Sequence, residues 1–88
     1  MFVILYYDVA EKRCNKMLKL CRQFLVWVQN SVFEGEITKA GLEKLKIEIE
    51  KIINYHDGDS VIIYEFRTTK YSRREVIGQD KKQNSFLI

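Results

Sequence analysis

The sequence predicts an α+β fold in which two helices cover one face of a single antiparallel sheet. Apolar, strand-like segments alternate along the chain with two segments whose apolar residues have helical spacing. The 88 residues, 47% hydrophobic and 31% charged, fit one small domain over residues 1–88. Proline is absent and glycine occurs four times, so no linker is expected to divide the chain.

The first half of the chain alternates strand and helix. Residues 2–7 combine β-branched and aromatic types without charge, which predicts a strand buried on both faces. Residues 12–26 predict a helix, because their apolar residues form one stripe and their cations lie on the opposite side. Residues 27–37 alternate in polarity around a glycine, which predicts a strand that can hold a bulge.

The second half begins with a helix that Thr38 is expected to cap and that runs to about Ile53. A glycine-containing turn and the strand "SVIIYEF" at 60–66 come next. "REVIG" at 74–78 predicts a short strand, and "NSFLI" at 84–88 could add a fifth. The order is the ferredoxin-like βαββαβ arrangement with a tail, in which right-handed crossovers place both helices on one face.

The uncovered face of this sheet predicts a homodimer. Strands 2–7 and 60–66 are apolar on both sides, so the face without helices would expose a large patch of aromatic and aliphatic side chains. Two sheets packed face to face would bury that patch. The tail, residues 79–88, ends in an apolar segment that needs a sheet edge, and we expect it to pair with the partner subunit.

The net charge of +3 is unevenly distributed. Residues 11–26 hold five cations against one acid, and residues 66–88 hold six cations against two acids. The intervening residues 27–65 carry four cations and eight acids. Two basic segments around an acidic middle predict a localised basic patch that binds nucleic acid. The candidate contacts are Lys12, Arg13, Lys16, Lys19, Arg22, Arg73 and Arg74.

Several other classes of site find no support in the sequence. Cys14 and Cys21 lie about 10 Å apart on a helix, too far to form a disulfide. Neither cysteine belongs to a zinc motif, and no Ser-His-Asp or Cys-His set is present. The apolar run of residues 1–7 is too short to span a bilayer and does not resemble a signal peptide. A cytoplasmic location without membrane contact is therefore expected.

Asp8 follows the first strand directly and has two interpretations. It could cap the following helix, since aspartate is favoured at helix N-termini. It could also bind a metal ion: if strand 2–7 lies near the dimer axis, two Asp8 carboxylates approach each other and require a proton or a cation between them. Mg²⁺ fits such a site, because it binds one or two carboxylates and keeps its waters for a phosphate. Mn²⁺ is the other candidate.

The stretches "YYDVAEKRCNKMLKLC", "VQNSVFEGEIT" and "DSVIIYEF" resemble the second core CRISPR-associated adaptation protein, the Cas-two family. The segment from Gln29 to Gly35 is the most specific part of the match. The resemblance implies a ferredoxin-like homodimer that takes part in spacer acquisition with the Cas-one integrase. It also implies metal-dependent endonuclease activity on RNA or DNA, with Asp8 from each subunit as catalytic metal ligand. By the same resemblance Tyr7, Arg13 and Phe33 lie near the cleft.

Three functions remain open at this point. The first is a Mg²⁺-dependent endonuclease built on a symmetric Asp8 pair. The second is a non-catalytic adaptor that holds duplex DNA between Cas-one subunits through its basic patches. The third is a toxin-like ribonuclease on the same fold. All three need the same dimer and the same basic surface, so the sequence does not separate them.

Overall fold

The computed structural model of the protein describes residues 1–84, with the side chains of residues 1–82. Its four strands form one antiparallel sheet in the order β2-β3-β1-β4. This architecture confirms the predicted ferredoxin-like fold. The elements are β1 (Phe2–Asp8), α1 (Glu11–Arg22), β2 (Val26–Gln29), β3 (Val32–Glu36), α2 (Lys39–Ile52), a 3₁₀ turn (Tyr55–Asp57), β4 (Ser60–Phe66) and α3 (Lys81–Asn84).

The core lies between the sheet and the two long helices. Alternate residues of the central strand β1 point into it: Val3, Leu5 and Tyr7 are buried. Helix α1 and helix α2 pack against each other beneath the sheet. Their buried residues are Met17, Leu20 and Cys21 on α1, and Leu42, Leu45 and Ile49 on α2.

Helix α1 is shorter than its sequence predicts. It ends at Arg22, whereas the apolar stripe predicted a helix to residue 26. The Leu25 N–H closes the helix end by donating to the Cys21 carbonyl at 2.8 Å, and Val26 then begins β2. Leu25 still reaches the core, but it does so from the helix–strand turn. The spacing of four residues between Cys21 and Leu25 fits both a continued helix and a loop that folds back onto the core, so the sequence pattern alone does not distinguish them.

Residues 27–37 form a hairpin, and the prediction of a single strand was wrong. Strands β2 and β3 are joined at Asn30, whose φ of 47° lies in the left-handed region that a tight turn requires. The Trp27 Nε1–H donates to the Asn30 carbonyl at 2.9 Å and holds the turn. A bulge does occur, but between Trp27 and Gln29.

After β4 the chain folds back over the sheet as the C-terminal strap, which we define as residues 67–84. The strap is anchored by two cations on one carboxylate: Arg74 Nε and Lys82 Nζ each lie 2.8 Å from Glu34 Oε1. Residues 74–78 do not form the predicted strand, because side chains hold this segment across a sheet face instead of along an edge. In the predicted fifth strand 84–88, Asn84 is the last residue of α3 and residues 85–88 lie outside the described residues.

The strap leaves part of the sheet uncovered. The open face, by which we mean the face away from α1 and α2, carries Phe2, Ile4 and Tyr6 of β1 and their partners in β4. Tyr6, Ile62 and Tyr64 are 41%, 44% and 57% exposed. The predicted apolar patch is therefore present. None of the helices in residues 1–84 is long and apolar enough to cross a membrane.

The Thr38 cap provides a test of how α2 starts. Its Oγ1 accepts a hydrogen bond from the Gly41 N–H at 3.0 Å, as the sequence predicts. Thr38→Ala should lower stability by about 1 kcal/mol, or about 4–8 °C in Tm for a domain of this size. Thr38→Ser keeps the hydroxyl and should melt near the wild type in the same calorimetric scan. Equal Tm values for the alanine and serine variants would contradict the capping role.

Candidate metal and nucleic-acid site at the end of strand β1

Asp8 is the last residue of β1 and lies on the open face. It pairs with Ser60 across β4, two positions along from the pair of Tyr6 and Ile62. Its side chain is exposed, and no hydrogen bond or ion pair with residues 1–82 holds its carboxylate. Both oxygens are therefore accessible to a ligand from solvent.

Asp8 does not cap α1. The N-cap position belongs to Ala10, which offers no side chain to the helix N–H groups. The Arg13 N–H instead donates to the Ala10 carbonyl at 2.8 Å. The capping interpretation of Asp8 is thus excluded by where the helix begins.

The acid that organises this end of the molecule is Asp59. Its side chain is 1% exposed and accepts four hydrogen bonds. Two come from backbone N–H groups, of Ala10 at 2.9 Å and of Asn54 at 3.0 Å. The other two come from Arg13, through Nε at 2.5 Å and Nη2 at 3.1 Å. Asp59 therefore joins the β1–α1 junction to the turn before β4.

These contacts determine the charge states of the pair. Hydrogen bonds from Arg13 hold the pKa of Asp59 far below its usual range, with further contributions from the Asn54 and Ala10 N–H groups. Hydrogen bonds to Asp59 and Asp57 raise the pKa of Arg13 above its already high value. Both groups stay ionised across the physiological pH range.

The Arg13 guanidinium is therefore engaged in ion pairs within the protein. Besides Asp59, its Nη2 lies 2.7 Å from Asp57 Oδ2, and its side chain is 12% exposed. The sequence proposed Arg13 as a nucleic-acid contact and as a neighbour of the cleft. The structure places its guanidinium in an internal ion-pair cluster, so it carries little free charge to offer to a phosphate.

Tyr7 and Phe33 lie on the other side of the sheet from Asp8. Their rings pack 6.2 Å apart between centroids in the core beneath the sheet, and both are buried. Burial raises the pKa of the Tyr7 phenol, which stays neutral. These rings support the strand from the inside and do not line a surface together with Asp8.

The remaining cations of α1 form an exposed row. Lys12, Lys16, Lys19 and Arg22 are all solvent-exposed. Lys12 lies at the same end of the sheet as Asp8, with its Nζ 3.8 Å from Asp57 Oδ2. Arg22 lies about 15 Å farther along the helix axis at 1.5 Å per residue. The row therefore runs away from Asp8 on the helix side of the molecule.

The two predicted cations of the strap differ in how firmly they are held. Arg74 is bound to Glu34 and Asp80, so it serves mainly to attach the strap. Arg73 is 86% exposed at its side chain, and within the described residues its ion pair is with the exposed Glu75, at 3.2 Å. Arg73 is thus the freer of the two for a phosphate.

The chemistry that Asp8 can support is limited by the number of its neighbours. Within the described part of the chain, no three acid, histidine or cysteine side chains gather into a metal-binding cluster. One accessible carboxylate does fit half of a Mg²⁺ or Mn²⁺ site that completes its shell with water and a second carboxylate.

Asp59 is the residue of this region that sequence reasoning missed. The segment "HDGD" was interpreted as a turn, and Gly58 does occupy it with φ of 79°. The available signal was an acid directly before a strand, in a chain whose first helix carries an arginine in its first turn. That signal becomes specific only once β1 and β4 are known to be neighbours, because 46 residues separate Asp59 from Arg13.

Comparisons with known proteins agree with this fold. A family model described as CRISPR associated protein Cas2 matches residues 1–74. A relative from Dictyoglomus turgidum is 52% identical over 88 residues and one from Thermotoga maritima is 44% identical over 88 residues, each match covering all of both chains. Both relatives are named CRISPR-associated endoribonuclease Cas2.

Solved structures show the same similarity. A crystal structure of Cas2 superposes with a TM-score of 0.82 at 44% identity, covering 92% of this chain and 90% of that one. Streptococcus pyogenes Cas2, crystallised at pH 6.5, gives a TM-score of 0.76 at 33% identity, with coverages of 89% and 100%. Sequence and fold together define a small CRISPR-associated protein. The chain belongs to the Cas2 family.

The depressed pKa of Asp59 makes a prediction for acid unfolding. A carboxyl group whose pKa is lowered by folding stabilises the protein above its unfolded pKa of about 3.9, and this contribution is lost as the pH falls below that value. Asp59→Asn should therefore be clearly less stable than the wild type at pH 7, and the difference should shrink between about pH 4 and pH 2. Urea titrations at each pH measure it.

Asp57→Asn is the matched control, because Asp57 contacts the same arginine but is 42% exposed at its side chain. The control should lose much less stability at pH 7. A difference between wild type and Asp59→Asn that does not vary with pH would contradict the assignment.

Proposed function

We propose that this protein is a homodimeric, metal-dependent endonuclease that cleaves phosphodiester bonds of RNA or DNA during the acquisition of new CRISPR spacers. The observation that carries the proposal is the accessible Asp8 carboxylate, which no residue of the described chain engages, at the rim of an apolar open face. The names of the curated relatives, which call them endoribonucleases, support the activity. The site of action is proposed to be the cytoplasm.

Asp8 would act as the metal ligand, one from each subunit. A bound Mg²⁺ or Mn²⁺ would supply Lewis-acid stabilisation of the phosphate charge. The chain's own contribution is to hold the carboxylate at the end of a central strand, since β1 pairs with β3 from Phe2 to Tyr6 and with β4 from Phe2 to Asp8. A cation between them would also relieve the repulsion between the two Asp8 carboxylates at the dimer axis.

The dimer would form through the part of the open face that the strap leaves exposed. Tyr6, Ile62 and Tyr64 lie beside Asp8 on this face. Association through these side chains would bring the two Asp8 residues toward each other while burying aromatic surface. The tail at residues 79–88 is proposed to add to this contact by pairing with the partner.

Nucleic acid would be bound by the exposed cations Lys12, Lys16, Lys19 and Arg22 of α1, with Arg73 as a further contact from the strap. These residues contact phosphates, so binding should depend on salt and little on sequence. Arg13 and Arg74 are assigned to internal ion pairs and would act indirectly.

A non-catalytic adaptor that holds duplex DNA in a complex with the Cas-one integrase is the second candidate. Two observations favour it. The basic row of α1 runs away from Asp8 on the helix side, and residues 1–82 gather no group of three histidine, cysteine, aspartate or glutamate side chains that could hold a metal ion. A dimer presents two such rows, which suits a clamp on duplex DNA.

Substitutions at Asp8 separate the two functions. Asp8→Asn should abolish Mg²⁺- or Mn²⁺-dependent cleavage of labelled RNA and DNA, because the amide is a far poorer ligand than the carboxylate. Asp8→Ala should unfold at the wild-type Tm or above, since the side chain caps no helix. If the wild-type protein cleaves nothing with any divalent metal, yet binds DNA and the integrase, the endonuclease proposal is wrong and the adaptor function takes its place.

The proposed dimer can be tested on the open face. Ile62→Lys places a charge in the proposed contact and should shift the sedimentation equilibrium toward monomer. Ile47→Lys is the control, because Ile47 is also exposed, at 57%, but lies on α2. Removal of Ser85–Ile88 should weaken the dimer as well. A wild-type chain that stays monomeric at micromolar concentration would overturn the dimer and the shared metal site.

Nucleic-acid binding through α1 predicts a change in salt dependence. Replacing Lys12, Lys16 and Lys19 together with glutamine should reduce the log–log slope of DNA affinity against salt by about 0.9 for each lost phosphate contact. Replacing Lys39, Lys44 and Lys51 of α2 makes the same change in net charge and should leave the slope nearly constant. Equal slopes in both triple variants would mean that α1 does not contact the phosphates.

A further inference from the structure

We propose that Asp59 is a positioning residue for the metal site: it fixes where the Asp8 carboxylate points without contacting it. This inference rests on the proposed role of Asp8 as a metal ligand. Asp8 has no side-chain partner in residues 1–82, so its position depends on the backbone that carries it. That backbone is held by contacts of the chain that follows Asp8 and of the strand opposite it.

The chain that follows Asp8 is held by Asp59. Only Val9 separates Asp8 from Ala10, whose N–H donates to Asp59 Oδ1 at 2.9 Å. Arg13, in the first turn of α1, donates to both oxygens of the same carboxylate. The exit from β1 and the start of α1 are thereby attached to one buried acid.

The strand opposite Asp8 is held by the same residue. Asp59 immediately precedes Ser60, which is the β4 partner of Asp8 in the sheet. The Asn54 N–H donates to Asp59 Oδ2 at 3.0 Å and anchors the turn before β4. One carboxylate thus holds both the chain that leaves β1 after Asp8 and the chain that enters β4 opposite Asp8.

Burial makes this arrangement specific for an ionised acid. The Asp59 side chain is 1% exposed, and all its polar neighbours are donors. An amide in this position directs its own N–H groups at some of these donors, so at least one contact is lost. The junction after Asp8 would then shift, although Asp8 itself is unchanged.

The test measures metal binding rather than activity. Mn²⁺ is titrated into the full-length wild type and into Asp59→Asn, and free Mn²⁺ is followed by electron paramagnetic resonance well below the Tm of each variant. We expect Asp59→Asn to bind Mn²⁺ about tenfold more weakly or worse, the range found for residues that orient metal ligands. Asp57→Asn, which perturbs Arg13 from the exposed side, should bind Mn²⁺ as the wild type does.

Asp8→Asn distinguishes failure of this inference from failure of the proposed function. If wild type and Asp8→Asn bind Mn²⁺ equally, Asp8 is not a ligand and both proposals fall. If Asp8→Asn loses binding while folded Asp59→Asn keeps the wild-type affinity, Asp59 has only a structural role and the positioning proposal is overturned.

A second variant decides the matter if Asp59→Asn does not fold. Arg13→Lys keeps the positive charge beside Asp59 but cannot reproduce the two-pronged contact through Nε and Nη2. Its circular dichroism should be that of the wild type, and its Mn²⁺ affinity should fall several-fold. Wild-type affinity in folded Arg13→Lys would overturn the proposal.

Discussion

The ion pair between Arg13 and Asp59 connects three parts of the molecule that are distant in sequence. It links the first turn of α1, the end of α2 through the Asn54 N–H, and the start of β4. A buried carboxylate is unfavourable unless every lone pair is used, and here two backbone donors and a guanidinium use them. Because β4 pairs with β1 alone in the described sheet, this cluster adds a further anchor at the end of the sheet at which Asp8 lies.

The placement of the candidate site follows from that constraint. An exposed ligand such as Asp8 needs rigid support if it is to bind a metal ion, and its own side chain has none in the described residues. The core supplies that support from below through Tyr7 and Phe33. The hydrogen bonds of Asp59 to Arg13, Ala10 and Asn54 supply further support beside the strand end. The accessible acid and the buried acid therefore lie at one strand end, the first open to solvent and the second engaged by four hydrogen bonds.

Hydrophobic patterning was sufficient to predict the sheet, the two long helices and the apolar open face, because residues such as Val3, Leu5 and Leu45 alternate as their elements require. It failed where local signals compete: Leu25 continues a helical stripe yet belongs to a turn, and Asn30 divides an apparently continuous strand. For the candidate site, the position of Asp8 at the end of β1 was predictable from the sequence. The ion pair that holds Arg13 was not predictable, because it depends on an acid 46 residues away.

The strap imposes a condition on whatever covers the sheet next to it. Glu34 is 7% exposed in the middle of the open face, and its charge is balanced there by Arg74 and Lys82. A molecule that displaced the strap would leave this carboxylate buried without a counter-ion, which is strongly unfavourable. Any surface able to take the place of residues 74–82 must therefore bring a cation of its own to Glu34, and a purely apolar surface is rejected at that point.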